Sequence, residues 1–186
     1  MDYRKFVFQI NSTNYVEGCG VIVDDLFITA GHVIEMSLNP NVEIEGERYP
    51  LVEDEALYID TNKTGSCTGY DLAIFRLKEV NSPLLLTDIF PSEGDQLLSC
   101  SYKTLPIGSS YQECLGKVMQ HYENYFECNF ETSLSEGSSG SPVFDGEKVV
   151  GILYGDREGK ESSNKVLFLS ASAIMKLLKG IGYKKQ

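Results

Sequence analysis

The feature that most constrains this chain is a rhythm of short strand-forming runs broken by turn residues. Lys5–Ile10, Tyr15–Val23, Leu26–Thr29, Asn41–Glu45, Leu57–Asp60 and Leu72–Leu77 are rich in Val, Ile, Phe and Tyr. Branched and flat side chains of this kind pack well on a pleated surface. Clusters such as Asn11-Ser12-Thr13-Asn14 and Asp24-Asp25 interrupt them, and such clusters favour turns. A second series follows: Gln96–Tyr102, Tyr111–Tyr122, Tyr125–Glu131, Pro142–Phe144, Val149–Tyr154 and Val166–Ser170. No helical pattern alternates with these runs, which argues against a parallel α/β fold. Two sets of about six short strands predict an all-β fold built as two six-stranded antiparallel barrels rather than one sandwich.

The same pattern divides the chain into an N-terminal barrel over 1–82, a connection over 83–95 and a C-terminal barrel over 96–170. The connection carries Pro83, Pro91 and Gly94. A helix is expected over 171–182, where Ala173, Ile174, Leu177, Leu178 and Ile181 recur at helical spacing. Ser170 or Ser172 can cap its start, and Gly180 and Gly182 stop it. Such a helix packs over a barrel.

Composition narrows the partners. Sixteen Lys and Arg against 27 Asp and Glu give a net charge of −11, which repels nucleic acid and anionic membrane surfaces. Only Lys176, Lys179, Lys184 and Lys185 form a basic group, and they read as a solvated face. The apolar runs fall well short of the ~20 residues needed to span a bilayer. Met1-Asp2-Tyr3-Arg4-Lys5 leads directly into a strand and lacks a secretory pattern. The five cysteines, at 19, 67, 100, 114 and 128, are odd in number and include no Cys-x-x-Cys pair. A disulfide framework or a zinc site would look different. They are expected to be reduced thiols in a cytoplasmic protein, packing as small apolar fillers.

Three segments carry chemistry. In Gly137-Ser138-Ser139-Gly140-Ser141-Pro142, glycines flank a pair of serines just before an apolar strand. Such a turn lets the Ser139 hydroxyl project while neighbouring N–H groups converge on one spot, as an acyl-transfer oxyanion requires. A serine hydroxyl is a weak nucleophile and needs a base. The chain has two histidines. His32 closes an apolar strand in Thr29-Ala30-Gly31-His32, whereas His121 lies inside a strand of the second series, where a structural or surface place is expected. The base in turn needs a carboxylate to set its tautomer, and Asp71 enters the apolar run Asp71-Leu72-Ala73-Ile74.

In the order His, Asp, Ser, these blocks resemble those of chymotrypsin-fold (trypsin-like) serine peptidases. The closest likeness is to the bacterial branch of glutamyl endopeptidases and HtrA-type proteases, which share the Gly-Ser-Pro ending. The resemblance runs roughly from Tyr15 to Ile181 and includes Gly18-Cys19-Gly20-Val21-Ile22-Val23 and Val149-Val150-Gly151-Ile152. It implies two Greek-key barrels with His32 as general base and acid, Asp71 orienting it, and Ser139 as nucleophile. The Gly137 and Ser139 N–H groups would form the oxyanion hole. It also implies a protein or peptide substrate and neither a metal nor an organic cofactor. By the same likeness Ser133 lies near the pocket floor, Tyr154, Gly155 and Asp156 along one wall, and Val166 near the other. The pattern departs from its relatives in three places. Ser138 stands where animal relatives carry an activating aspartate, which leaves room for an activating protein partner. Val33 replaces the disulfide partner of Cys19. Leu153 or Tyr154 stands where glutamyl endopeptidases place a pocket histidine. A protease-fold binding module without turnover is the rival reading, although such modules usually lose one of the residues retained here.

Overall fold

A computed structural model describes residues 1–61, 69–132, 134, 138–155 and 164–184. The first half contains β1 (Val7–Gln9), β2 (Cys19–Val23), β3 (Leu26–Ala30), α1 (Gly31–Met36), β4 (Asn41–Ile44), β5 (Glu47–Pro50), β6 (Tyr58–Asp60) and β7 (Leu72–Arg76). The second comprises β8 (Leu85–Leu86), β9 (Gln96–Thr104), β10 (Ser109–His121), β11 (Tyr125–Phe130), β12 (Pro142–Asp145), β13 (Lys148–Gly155), β14 (Lys165–Ser170) and α2 (Ala171–Gly180). The fold is all-β with a C-terminal helix, as the strand rhythm predicts.

In the second half the sheet order β12-β9-β10-β11-β14-β13 closes on itself because β13 also pairs with β12. That is a six-stranded antiparallel barrel, and the neighbours β12-β9-β10-β11 have the spatial order of a Greek key. The first half is a five-stranded sheet, β1-β2-β3-β7-β6, and a separate hairpin, β4-β5, joined to it by the bridge Asn11–Asn41. The connection expected over 83–95 holds β8, which adds to β13 in parallel.

Every residue of β2 and β3 is buried, because these strands are covered on both faces. Successive side chains point to opposite sides of a strand. Ile22, Phe27, Ala73 and Phe75 therefore fill the interior of the first half, while Val21, Val23, Ile28 and Ile74 face the second. There they meet Cys100, Phe144, Val149, Ile152 and Leu169, with Ala173, Ile174 and Leu178 of α2 completing the layer. A third cluster, containing Phe126, Phe130 and Phe168, fills the closed barrel. The interface between halves is thus as apolar as either interior, and burying one such side chain contributes roughly 1.5–3 kcal/mol. α2 begins where Ser170 accepts a hydrogen bond from the Ala173 N–H (3.2 Å). Among the described residues no helix is long and apolar enough to cross a membrane.

Candidate active site

β3 runs straight into α1, and the first turn of that short helix presents His32. The chain can turn there because Gly31 lacks a side chain. A Cβ at this position would collide with the Asp60 carbonyl oxygen and lie 3.2 Å from the Leu72 nitrogen. The Gly31 N–H donates to the Asp71 carbonyl (3.0 Å), so the residue before the histidine is tied to the start of β7.

Asp71 uses both carboxylate oxygens on one neighbour. Oδ1 accepts the His32 backbone N–H (2.7 Å) and Oδ2 lies 2.6 Å from the ring Nδ1. A carboxylate only accepts, so Nδ1 carries a ring proton, and in the neutral imidazole Nε2 is then the nitrogen with the lone pair. Asp71 itself has a φ of 49°, in the left-handed region that costs an L-residue roughly 1–2 kcal/mol and that aspartate tolerates better than most. The bonds to His32 and Gly31 hold it there. Its side chain is 10% exposed against 38% for His32, leaving one edge of the imidazole open. Behind it, Asp60 Oδ2 accepts from the Tyr70 N–H (3.0 Å) and the Tyr58 hydroxyl (3.0 Å), and steadies the segment that enters Asp71.

The open His32 Nε2 lies 3.2 Å from Ser139 Oγ, which arrives from the second half just ahead of β12. The Ser141 N–H donates to the Ser138 carbonyl (2.9 Å), closing a tight turn with Ser139 and Gly140 at its corner. Gly140 has φ +86°, and a Cβ there would run into Cys19 O, Thr29 Oγ1 and the Ala30 nitrogen. The Cys19 N–H donates to the Ser139 carbonyl (2.9 Å). Ser138 is buried, and its hydroxyl has no partner among the described residues.

Three side chains placed far apart in sequence therefore form one continuous set of contacts, Asp71–His32–Ser139, with the imidazole Nε2 facing a hydroxyl. The pocket residues fare differently. Gly137, Ser133 and Asp156 lie outside the described residues. Tyr154 is half-buried, edge-on to Tyr125 with ring centres 5.0 Å apart. Gly155 ends β13 opposite Leu167. Val166 is 5% exposed and packs in the cluster that fills the closed barrel. His121 ends β10 exposed, edge-on to Phe90, far in role from the first histidine. Asp60 and Thr29 also support the site, with little in the local sequence to mark them. Asp60 gave no signal beyond a strand-end acid, and Thr29 only its place in the histidine block.

Cys19, Cys100, Cys114 and Cys128 are free and buried. Burial pushes the Cys19 thiol up to about 11 and those of Cys100 and Cys128 up to about 12, so these sulfurs are neutral and make poor nucleophiles. Among the described residues no group of three or more His, Cys, Asp or Glu could hold a metal ion.

Residues 18–152 match the model of the trypsin-like peptidase domain, and the chain belongs to that family. Glutamyl endopeptidase of Staphylococcus epidermidis is 26% identical over 189 aligned positions, covering 88% of this chain and 62% of that protein. The chain thus spans less than two thirds of the length of these curated relatives. Among solved structures, the active form of the Rv3671c protease from M. tuberculosis superposes with a TM-score of 0.74 at 17% identity, covering 98% of this chain and 83% of that one. The scabies mite inactivated protease paralogue S-I1 gives 0.77 at 15%, covering 96% and 94%. These likenesses show the fold. The second also shows that the fold alone does not carry turnover.

Proposed function

We propose that this chain is a serine endopeptidase that hydrolyses peptide bonds through an acyl-enzyme on Ser139. The observation that carries the reading is the 3.2 Å contact between His32 Nε2 and Ser139 Oγ, made by an imidazole whose other nitrogen is held by Asp71. In the first step Ser139 Oγ attacks the scissile carbonyl carbon while its proton passes to Nε2. The Asp71 carboxylate stabilises the imidazolium without taking its proton. The carbonyl oxygen, now negative, accepts the Ser139 N–H and, by the family likeness, that of Gly137. Collapse of the tetrahedral adduct breaks the C–N bond as His32 returns the proton to the leaving amine, leaving an ester on Ser139. Water then attacks that ester with His32 as base, and the acid product leaves with Ser139 restored. No step calls on a metal or an organic cofactor.

The substrate is a protein or peptide. β13 offers Leu153 and Tyr154 where a histidine would read glutamate, so a preference for glutamate is not expected. An activating protein partner is part of this reading. Its support is the buried Ser138 hydroxyl without a partner among the described residues, at the position where animal relatives use a paired carboxylate. We place the protein in the cytoplasm, on the strength of four free, buried thiols.

The test is labelling with a fluorophosphonate, read by the mass of the modified peptide. Modification of Ser139, abolished in Ser139→Ala, is expected. Rapid labelling of the purified protein alone would remove the partner from the reading. Inertness of the folded protein both alone and in extract would leave the binding module.

A further inference from the structure

Ser139 and His32 come from opposite halves of the molecule, so something must fix the distance between them. Close to the site, Cys19 joins the two halves through its amide and its sulfur. Its backbone N–H holds the Ser139 carbonyl across the junction (2.9 Å), and within its own half its carbonyl accepts from the Thr29 hydroxyl (2.7 Å). Its sulfur lies 3.1 Å from Ser141 Oγ. The Ser141 hydroxyl in turn donates to the Ser138 carbonyl. A hydroxyl has a single proton. Since that proton is committed to Ser138 O, the Cys19 thiol must be the donor in the contact with Ser141. The result is a directed chain from Cys19 S–H through Ser141 O–H to Ser138 C=O, ending on the residue before the nucleophile. Cys19 and Ser141 are fully buried, with Ser138 at 2% exposure, so water does not compete for any of these bonds. A buried thiol held as a neutral S–H keeps its donor through the ordinary pH range, in keeping with the upward push that burial gives it.

We propose that Cys19 is a positioning residue whose thiol, acting through Ser141, holds the Ser138–Ser141 turn so that the Ser139 hydroxyl stays within reach of His32. This rests on the endopeptidase reading and goes beyond the expectation that the cysteines are apolar fillers. The two roles predict opposite rankings. A filler is served as well by Ala as by Ser, since a buried hydroxyl gains nothing from an apolar site. A donor is restored in part by Ser and lost in Ala.

The experiment combines Cys19→Ala, Cys19→Ser, Ser141→Ala and the double variant Cys19→Ala/Ser141→Ala. Each is read by the rate of fluorophosphonate labelling, by kcat and KM on a peptide substrate, and by denaturant unfolding. Cys19→Ala and Ser141→Ala are each expected to slow labelling and kcat by about tenfold to a hundredfold, the scale of a misplaced reacting group, with KM little changed. The double variant should be no slower than the worse single, because both cut the same chain. Cys19→Ser should recover most of the loss. A Cys19→Ser protein as slow as Cys19→Ala, or single effects that simply multiply, would overturn the proposal. The unfolding cycle separates this outcome from failure of the endopeptidase reading. If the wild type never labels but Cys19 and Ser141 remain coupled in stability, the junction stands and the enzyme reading falls. If they are uncoupled in stability, the junction falls whatever the labelling.

Discussion

Gly31→Ala tests the reasoning that places His32. The new methyl would overlap the Asp60 carbonyl oxygen, with the Asp60 carbonyl carbon 3.0 Å away and the Leu72 nitrogen 3.2 Å away. All three are backbone atoms of β6 and β7, so no side chain can swing aside. Relief must come from α1 backing away from β7, by a shift on the order of 1 Å, and a misplacement of that size can cost about 10²-fold in rate. Its direction matters, since it pulls His32 from the 2.7 and 2.6 Å contacts with Asp71 that set its tautomer. Overpacking of this kind typically costs about 1–3 kcal/mol, or roughly 2–12 °C in Tm at this chain length. The assays are the rate of Ser139 labelling and a thermal melt. Gly180→Ala is the control, because nothing lies within 4 Å of a Cβ there. A Gly31→Ala protein that labels within a factor of three of wild type and melts with it would refute the argument.

Asp71→Asn keeps the shape of the side chain but lets the imidazole take the wrong tautomer, and should lower turnover by about 10⁴-fold while the fold persists by circular dichroism. Ser170→Ala removes the cap on Ala173 and should cost about 1 kcal/mol, near 2–4 °C in Tm, without altering labelling. The cysteines predict an alkaline limit to stability. Burial raises the Cys19 thiol from 9.0 to about 11 and those of Cys100 and Cys128 to about 12, so the folded state holds protons that the unfolded chain has released. Their contribution is complete below about pH 9 and is lost as pH rises through 11 to 12. Melts from pH 7 to 10.5 should decline above 9, and a flat profile would contradict it.

Much of the architecture is legible in the chain because the interiors are built by alternation. β3 and β7 read as apolar runs, and β9 to β14 as a second series, within a residue or two of their observed ends, while the run from Tyr15 starts four residues ahead of β2. Other elements escaped. α1 has only six residues, too few to show a period, and its start depends on the tertiary bond from Gly31 to Asp71. β5 is polar and lies at an edge, opposite β4 alone. β8 consists of two residues that become a strand only by pairing with β13, which is why the connection reads as irregular. In the first half the pattern predicts six strands, but pairing divides the elements into a five-stranded sheet and a hairpin.

The sequence by itself determined the chemistry on offer: one histidine in a strand-end block, one aspartate at the mouth of an apolar strand, one serine between turn residues. These are local facts, set by residue type and spacing. Tertiary structure decided that they meet. The contact of 3.2 Å between His32 and Ser139 joins residues 107 positions apart, and its length depends on how an apolar interface seats one half upon the other. The same interface turns Cys19 from one of five similar cysteines into the point where the Ser138–Ser141 turn meets the first half. No local pattern encodes that role, because the partners of its sulfur and amide come from the other half of the molecule.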